Sequence, residues 1–279
     1  MLFVPGNSWN FVLSNVSATR PAAGWGTVVT PGTAPTKGAW AQVLTAANKN
    51  AETFGILVHI NNGSTAATTR NYHVDVGIDA AGGTAYTVVI PDLLGGHSAP
   101  ATVGGIFYYF PLYIPAGASV AVRASGNVAT TFNVGVTVFG KPRRPDSVMA
   151  GQKVVAFGAT AASATGTTVT PGTTAEGAYV QLGTATTLPL WWWQAGLTCV
   201  DTTMSANAHT IDIATGDATN KDIVLQDVLS IWTASEQITT LPAVYPGFDR
   251  TATGSLVYGR VQCSGTADSA LSMMAYGLG

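Results

Sequence analysis

An eight-residue phrase occurs twice in this chain. Gly26-Thr27-Val28-Val29-Thr30-Pro31-Gly32-Thr33 returns 140 positions later as Gly166-Thr167-Thr168-Val169-Thr170-Pro171-Gly172-Thr173. The next block, Lys37-Gly38-Ala39-Trp40-Ala41-Gln42-Val43-Leu44, is answered by Glu176-Gly177-Ala178-Tyr179-Val180-Gln181-Leu182-Gly183 after a single-residue gap. Further on, Asp75-Val76 matches Asp212-Ile213, Val89 matches Val224 and Asp92 matches Asp227. Phe110-Pro111 matches Tyr245-Pro246, Arg123 matches Arg260, and Phe139-Gly140 is paired with Tyr276-Gly277. Solenoid repeats recur at roughly 20–50 residues, so this period marks a duplicated domain. Two equivalent bodies suit a scaffold better than one unique catalytic cleft.

The length of 279 residues agrees with two domains, each large enough to bury a core without staples. Charged residues make up 9% of the chain, far below the roughly 25% of ordinary soluble proteins. The apolar share of 47% is ordinary, which excludes a disordered polyelectrolyte. A net charge of −2 gives no electrostatic case for nucleic acid or an anionic membrane. Few charges leave surfaces that are cheap to desolvate against a neighbour, as interface cores are. A Thr/Ser-rich solvated β-surface explains the composition equally well.

No apolar stretch reaches the roughly 18 residues of a membrane span. The start, Met1-Leu2-Phe3-Val4-Pro5-Gly6, has neither the basic nor the apolar region of a signal peptide, so cytoplasmic synthesis is expected. Cys199 and Cys263 stand at unmatched positions of the repeat and read as buried thiols rather than a disulfide or metal framework.

Period-2 patterning dominates beyond residue 20. In Asn71–Asp79, Tyr72, Val74, Val76 and Ile78 alternate with Asn71, His73, Asp75, Gly77 and Asp79, the signature of a half-buried strand. Asn61-Asn62-Gly63, Ala80-Ala81-Gly82-Gly83 and Pro115-Ala116-Gly117 are turn sequences. About eight short strands per half and no convincing helix predict an all-β fold: two tandem, related, jelly-roll-like antiparallel β-sandwich domains. The expected boundaries are an N-terminal arm over 1–20, a first sandwich over 21–140, a linker over 141–150 and a second sandwich over 151–279. The linker contains Lys141-Pro142-Arg143-Arg144-Pro145, which cannot continue a sheet interior.

Catalytic patterns are missing from the sequence. The only glutamates are Glu52, Glu176 and Glu236, all in turn-like contexts. Asp75 and Asp79 on one strand face stand roughly 13 Å apart, outside both glycosidase separations. His73 and Asp75 offer two metal ligands without a third, so an exposed polar strand face is the simpler expectation. No nucleophile elbow, P-loop or dinucleotide fingerprint occurs, and Gly55, Gly77 and Gly135 inside strands mark bulges or close backbone approach. No enzyme activity, cofactor or metal is expected.

The aromatic runs Trp191-Trp192-Trp193 and Phe107-Tyr108-Tyr109-Phe110 place rings on both faces of a strand. They can form a sugar platform, a protein interface, or a strand buried on both sides. Tyr108, Tyr109, Trp191, Trp192 and Trp193 are therefore candidate interface residues. Trp9 and Phe11 of the arm join them, as do Arg143 and Arg144 of the linker, which otherwise form a solvated hinge.

The stretch Phe110-Pro111-Leu112-Tyr113-Ile114-Pro115-Ala116-Gly117-Ala118-Ser119-Val120-Ala121-Val122-Arg123-Ala124-Ser125 resembles a recurrent segment of tailed-bacteriophage virion structural proteins. There an IPAG turn leads into a strand ending in Arg, followed by a final strand such as Val134–Gly140. The likeness covers about 30 residues; the second half keeps Arg260, Ser264-Gly265 and Tyr276-Gly277 but replaces the turn with Asp249–Gly254. It implies a non-catalytic virion protein made in the host cytoplasm. Its role would be capsid decoration (cement), with the major capsid protein or other virion proteins and sister copies as partners. A homo-oligomer is expected, a trimer among the options, since three duplicated chains can mimic a six-fold ring. The alternative is a tail or fibre component that binds a host receptor or glycan.

Overall fold

The computed structural model describes residues 12–14, 26–48, 51–61, 70–97, 105–140, 151–199, 207–231, 251–265 and 271–279. The protein is all-β, and among these residues the one helical element is a single 3-10 turn, Ala46–Asn48. In the first half the strands are β1 (Val12–Ser14), β2 (Thr27–Val29), β3 (Gly32–Thr33), β4 (Ala41–Leu44), β5 (Thr53–Asn61), β6 (Arg70–Asp79), β7 (Thr87–His97), β8 (Gly105–Phe110), β9 (Ser119–Gly126) and β10 (Phe132–Gly140). The second half contributes β11 (Val154–Phe157), β12 (Thr167–Val169), β13 (Val180–Gly183), β14 (Trp192–Cys199), β15 (Ala208–Gly216), β16 (Lys221–Ile231), β17 (Leu256–Cys263) and β18 (Leu271–Leu278).

In the first half, β2 and β1 both pair with β10, which continues to β5 and β8; the second sheet runs β4-β9-β6-β7. Each sheet thus interleaves strands from early and late in the half, the connectivity of a jelly roll. The second half repeats it as β12-β18-β14, with β11 also on β18, and as β13-β17-β15-β16. Even the irregularities are copied. The β6–β7 ladder shifts register around Val76, and the β15–β16 ladder shifts around Ile213. The bulges bring Asp92 and Asp227 to φ of 50° and 51°, a left-handed conformation that Asp tolerates better than most residues.

Two expectations need correction. Val12–Ser14, placed in the arm by the sequence, pairs with Thr137–Phe139 as a sheet strand. The last strand is also out of step with the sequence match. Val29 pairs with Phe132 and its twin Val169 with Leu271, so Phe139 corresponds to Leu278 rather than to Tyr276. A two-residue slip keeps side chains on the same face of a strand, which hides it from pattern matching.

The first core is finished by the second half. Side chains pointing outward from β18 (Met274, Tyr276, Leu278), with Trp192 of β14 and Val154 of β11, belong to the same buried cluster as Ile56, Val74, Leu93 and Tyr108. They close the sandwich along its β7/β8 edge. The Tyr276 hydroxyl accepts the Leu94 amide at 2.8 Å and donates to the Asp92 carbonyl at 3.1 Å, and Tyr108 donates to the Leu94 carbonyl at 2.5 Å. His73 Nε2 lies 2.9 Å from the Thr165 carbonyl. Burial of Met274 and Leu278 contributes roughly 1.5–3 kcal/mol each. A separate cluster around Val169, Leu197, Ile213 and Met273 forms the second core.

Candidate functional site

The polar face of β6, expected to be exposed, is buried. His73 is 1% exposed, Asp75 4% and Asp79 8%. Asp79 caps the following turn by accepting the Ala81 and Ala85 amides. Asp75 anchors a charge cluster. Its Oδ2 accepts Arg123 Nε at 2.9 Å, and its Oδ1 accepts the Asp92 amide at 3.0 Å and Lys37 Nζ at 2.8 Å. Lys37 also reaches Asp92 Oδ1 at 2.7 Å and the His73 carbonyl at 3.0 Å. The Arg123 guanidinium lies over the Trp40 ring, 4.5 Å from its centroid, a cation–π contact that also shields the pair from water. Burial is the main force holding the His73 imidazole neutral, down to about 4, with Lys37 acting in the same direction against Asp92 and Asp75.

The second half rebuilds this arrangement at the matching positions. Asp212 Oδ2 accepts Arg260 Nε at 2.9 Å and Nη2 at 2.7 Å, and its Oδ1 accepts the Asp227 amide at 2.7 Å. Arg260 lies 4.4 Å from the Tyr179 centroid. The difference is at the residue facing Asp212 and Asp227: where the first half has Lys37, the second has Glu176. Glu176 forms an ion pair with Arg260. Ligand oxygens of Glu176, Asp212 and Asp227 all lie within 4.8 Å of one another. Partial desolvation and the Asp212 carboxylate push the Glu176 carboxyl above its usual range, against the pull of Arg260.

The residues singled out as interface candidates scatter. Tyr108, Trp192 and Trp193 are buried, at 0%, 5% and 2% exposure, while Tyr109 and Trp191 are partly buried against the first core. Tyr109 meets Trp192 edge-on at 5.9 Å, Trp192 meets Trp191 at 6.4 Å, and Tyr108 meets Tyr276 at 5.4 Å. These rings join the two halves of one chain. Trp193 instead packs on Phe157 in the second core. Trp9, Phe11, Arg143 and Arg144 lie outside the described residues, as do Glu236 and the Tyr245-Pro246 match. Cys263 is a buried thiol whose sulfur accepts the Gly265 amide at 3.4 Å.

Among the described residues the exposed large apolar side chains are Val28 on β2, Phe107 on β8, and Ile223 and Leu229 on β16. Phe107 belongs to the aromatic run that places rings on both faces of a strand; the other three were not anticipated, and nothing in their local pattern separates them from buried neighbours. Sequence reasoning also missed the acidic triad, although the repeat aligned every member of it.

No family model matches the sequence, and no curated protein matches it. Among solved structures, the STIV MCP (Sulfolobus Turreted Icosahedral Virus) is 8% identical with a TM-score of 0.39, covering 96% of both chains. PNGF-II is 9% identical with a TM-score of 0.41, over 96% of this chain and 65% of that one. The CBM22-1–CBM22-2 tandem domain of Paenibacillus barcinonensis Xyn10C is 10% identical with a TM-score of 0.27, over 99% and 94%. At these identities and TM-scores none of them assigns a function to the chain.

Proposed function

We propose that this chain is a non-catalytic structural component of a virion, and within that class a capsid decoration (cement) protein of a tailed phage. Its partners would be the major capsid protein and sister copies of itself. The observation that carries the reading is the junction inside the chain. There the outer face of one half's sheet (β11, β18, β14) seals the open β7 edge of the other. The same two kinds of surface recur elsewhere on the chain. Edge strand β16, the counterpart of β7, shows Ile223 and Leu229, and the outer side of the β2-β10-β5-β8 sheet shows Val28 and Phe107. A second copy can repeat the junction head to tail, and heterologous contacts of this kind form a ring where the rotation between copies closes. Three chains would then present six similar bodies around one axis.

The glycan-binding alternative loses its platform on the Trp run, because Trp192 and Trp193 are enclosed by the chain itself. Analytical ultracentrifugation of the full chain tests the assembly step. A concentration-dependent trimer that Leu229→Lys or Phe107→Lys dissociates supports the proposal, and a monomer throughout the micromolar range overturns it. Labelling of intact particles then locates the protein on head or tail.

A further inference from the structure

The two charge clusters form an internal comparison at one fold position, differing in one decisive residue. In both, the central aspartate gives Oδ2 to an arginine and Oδ1 to the backbone amide of the bulge aspartate. In the first half a cation is seated between the two carboxylates, the Lys37 ammonium, held by Asp75 Oδ1, Asp92 Oδ1 and the His73 carbonyl. Two cationic side chains there face two carboxylates. In the second half Arg260 is the one cation among the described residues that faces Asp212, Asp227 and Glu176, which leaves two negative charges in excess there.

We propose that the Glu176–Asp212–Asp227 cluster binds a divalent metal ion of the calcium type, which takes the place that the Lys37 ammonium fills in the other half. The sister cluster is the independent pointer to a cation, because equivalent oxygens already hold one there. Calcium–oxygen distances of about 2.3–2.6 Å allow two ligands of one ion to stand up to roughly 5 Å apart. The 4.8 Å spread of the carboxylate oxygens fits that sphere. Glu176 and Asp227 are exposed and Asp212 is buried, so water can complete the six to eight oxygens that calcium takes. By register, the carbonyl of Thr210 occupies the position of the His73 carbonyl that Lys37 uses. Magnesium, with its stricter octahedron, suits a site already shared with a guanidinium less well.

This site is separate from the assembly reading and is tested on the full chain after EDTA treatment. Isothermal titration with calcium chloride should give one site per chain, with a Kd in the ~0.1–1 mM range of extracellular calcium modules, and calcium should raise the melting temperature. Glu176→Lys should abolish both responses while melting no lower than the calcium-free parent, since it installs the ammonium of the first half. Glu176→Gln, which changes charge with little change of shape, should weaken binding at least about tenfold and guards against a folding defect in the lysine variant. No heat and no thermal shift in the parent at 10 mM calcium would overturn the proposal, as would undiminished binding in both variants.

Discussion

The halves share a fold and a charge cluster, yet one is self-sufficient in charge and the other in core. In the first, Lys37 and Arg123 balance Asp75 and Asp92, but the hydrophobic core needs Met274, Tyr276 and Leu278 from the other half. In the second, among the described residues, the core around Val169 and Ile213 draws on its own strands, while its cluster keeps a single cation among three carboxylates. The outward side of the final strand shows the same divergence. Asn133, Gly135, Thr137 and Phe139 on β10 correspond to Ser272, Met274, Tyr276 and Leu278 on β18; the last three on β18 enter the first half's core, whereas the same positions on β10 carry glycine, threonine and a half-buried phenylalanine.

The strongest test of this asymmetry is loss of the shared arginine, measured without added metal. Arg260→Ala leaves the buried Asp212 with no cation and two carboxylates beside it, and should cost about 3 kcal/mol, in the range for breaking a buried pair. Arg123→Ala leaves Asp75 with Lys37 and, with Arg123 about a third exposed, should cost only about 1–2 kcal/mol after discounting for solvent screening. Hydrogen exchange of the β17 and β9 amides reads each half separately. Equal losses would break the comparison.

The histidine at the junction gives the next effect. Its folded-state pKa is lowered, to about 4, so between about pH 6.5 and 4 the unfolded chain binds the extra proton. Its contribution is complete above pH 6.5 and is lost as pH falls through that window. A shift of this size is worth on the order of 3 kcal/mol at its limit. His59, also lowered to about 4 by burial, adds a slope of the same sign. His73→Gln should therefore reduce the acid-side slope in denaturation profiles, and an unchanged slope would place the proton elsewhere.

Much of this was legible in the sequence. The strands, the duplication and the aspartate–arginine matches follow from alternation and spacing, because strands of period 2 and twin turns leave strong local marks. The cluster was not read as such, because its members lie 17 to 55 positions apart and meet only through jelly-roll crossovers. The buried state of the His73/Asp75 face was misjudged for the same reason: a polar stripe looks solvent-facing until distant Lys37, Trp40 and Thr165 cover it. Gly77, expected at a bulge or a close backbone approach, lies at the register shift that follows Val76, and what crowds it is a side-chain ring. A Cβ there would lie 2.6 Å from the Trp40 ring.

That glycine allows a finer test. Ladder positions make Ala214 the counterpart of Gly77, and the repeat makes Tyr179 the counterpart of Trp40, so the larger ring goes with glycine in one half and the smaller ring with alanine in the other. Gly77→Ala should destabilise by about 2 kcal/mol through overpacking. Adding Trp40→Tyr should recover at least half of that loss, a coupling that a double-mutant cycle measures. Additive losses would show that the two sites are not exchangeable.

The smallest effect concerns the outward side of the last strand, where one position carries Tyr276 and its twin carries Thr137. The Tyr276 hydroxyl bridges the Leu94 amide and the Asp92 carbonyl across the junction, and burial raises its pKa, so it remains a neutral donor at any ordinary pH. Phenylalanine keeps the ring against Tyr108 and Phe110 but removes both hydrogen bonds. Tyr276→Phe should therefore cost about 1 kcal/mol in thermal or urea unfolding. Thr137 donates only to Ser14 at the surface, and Thr137→Val should stay within about 0.5 kcal/mol of the parent. If sister copies dock on the first half as the second half docks within the chain, oligomerisation will cover this outward face. The valine variant should then shift the dimerisation or trimerisation constant while leaving monomer stability alone, and a constant unmoved by Thr137→Lys would put the copy contact on a different surface.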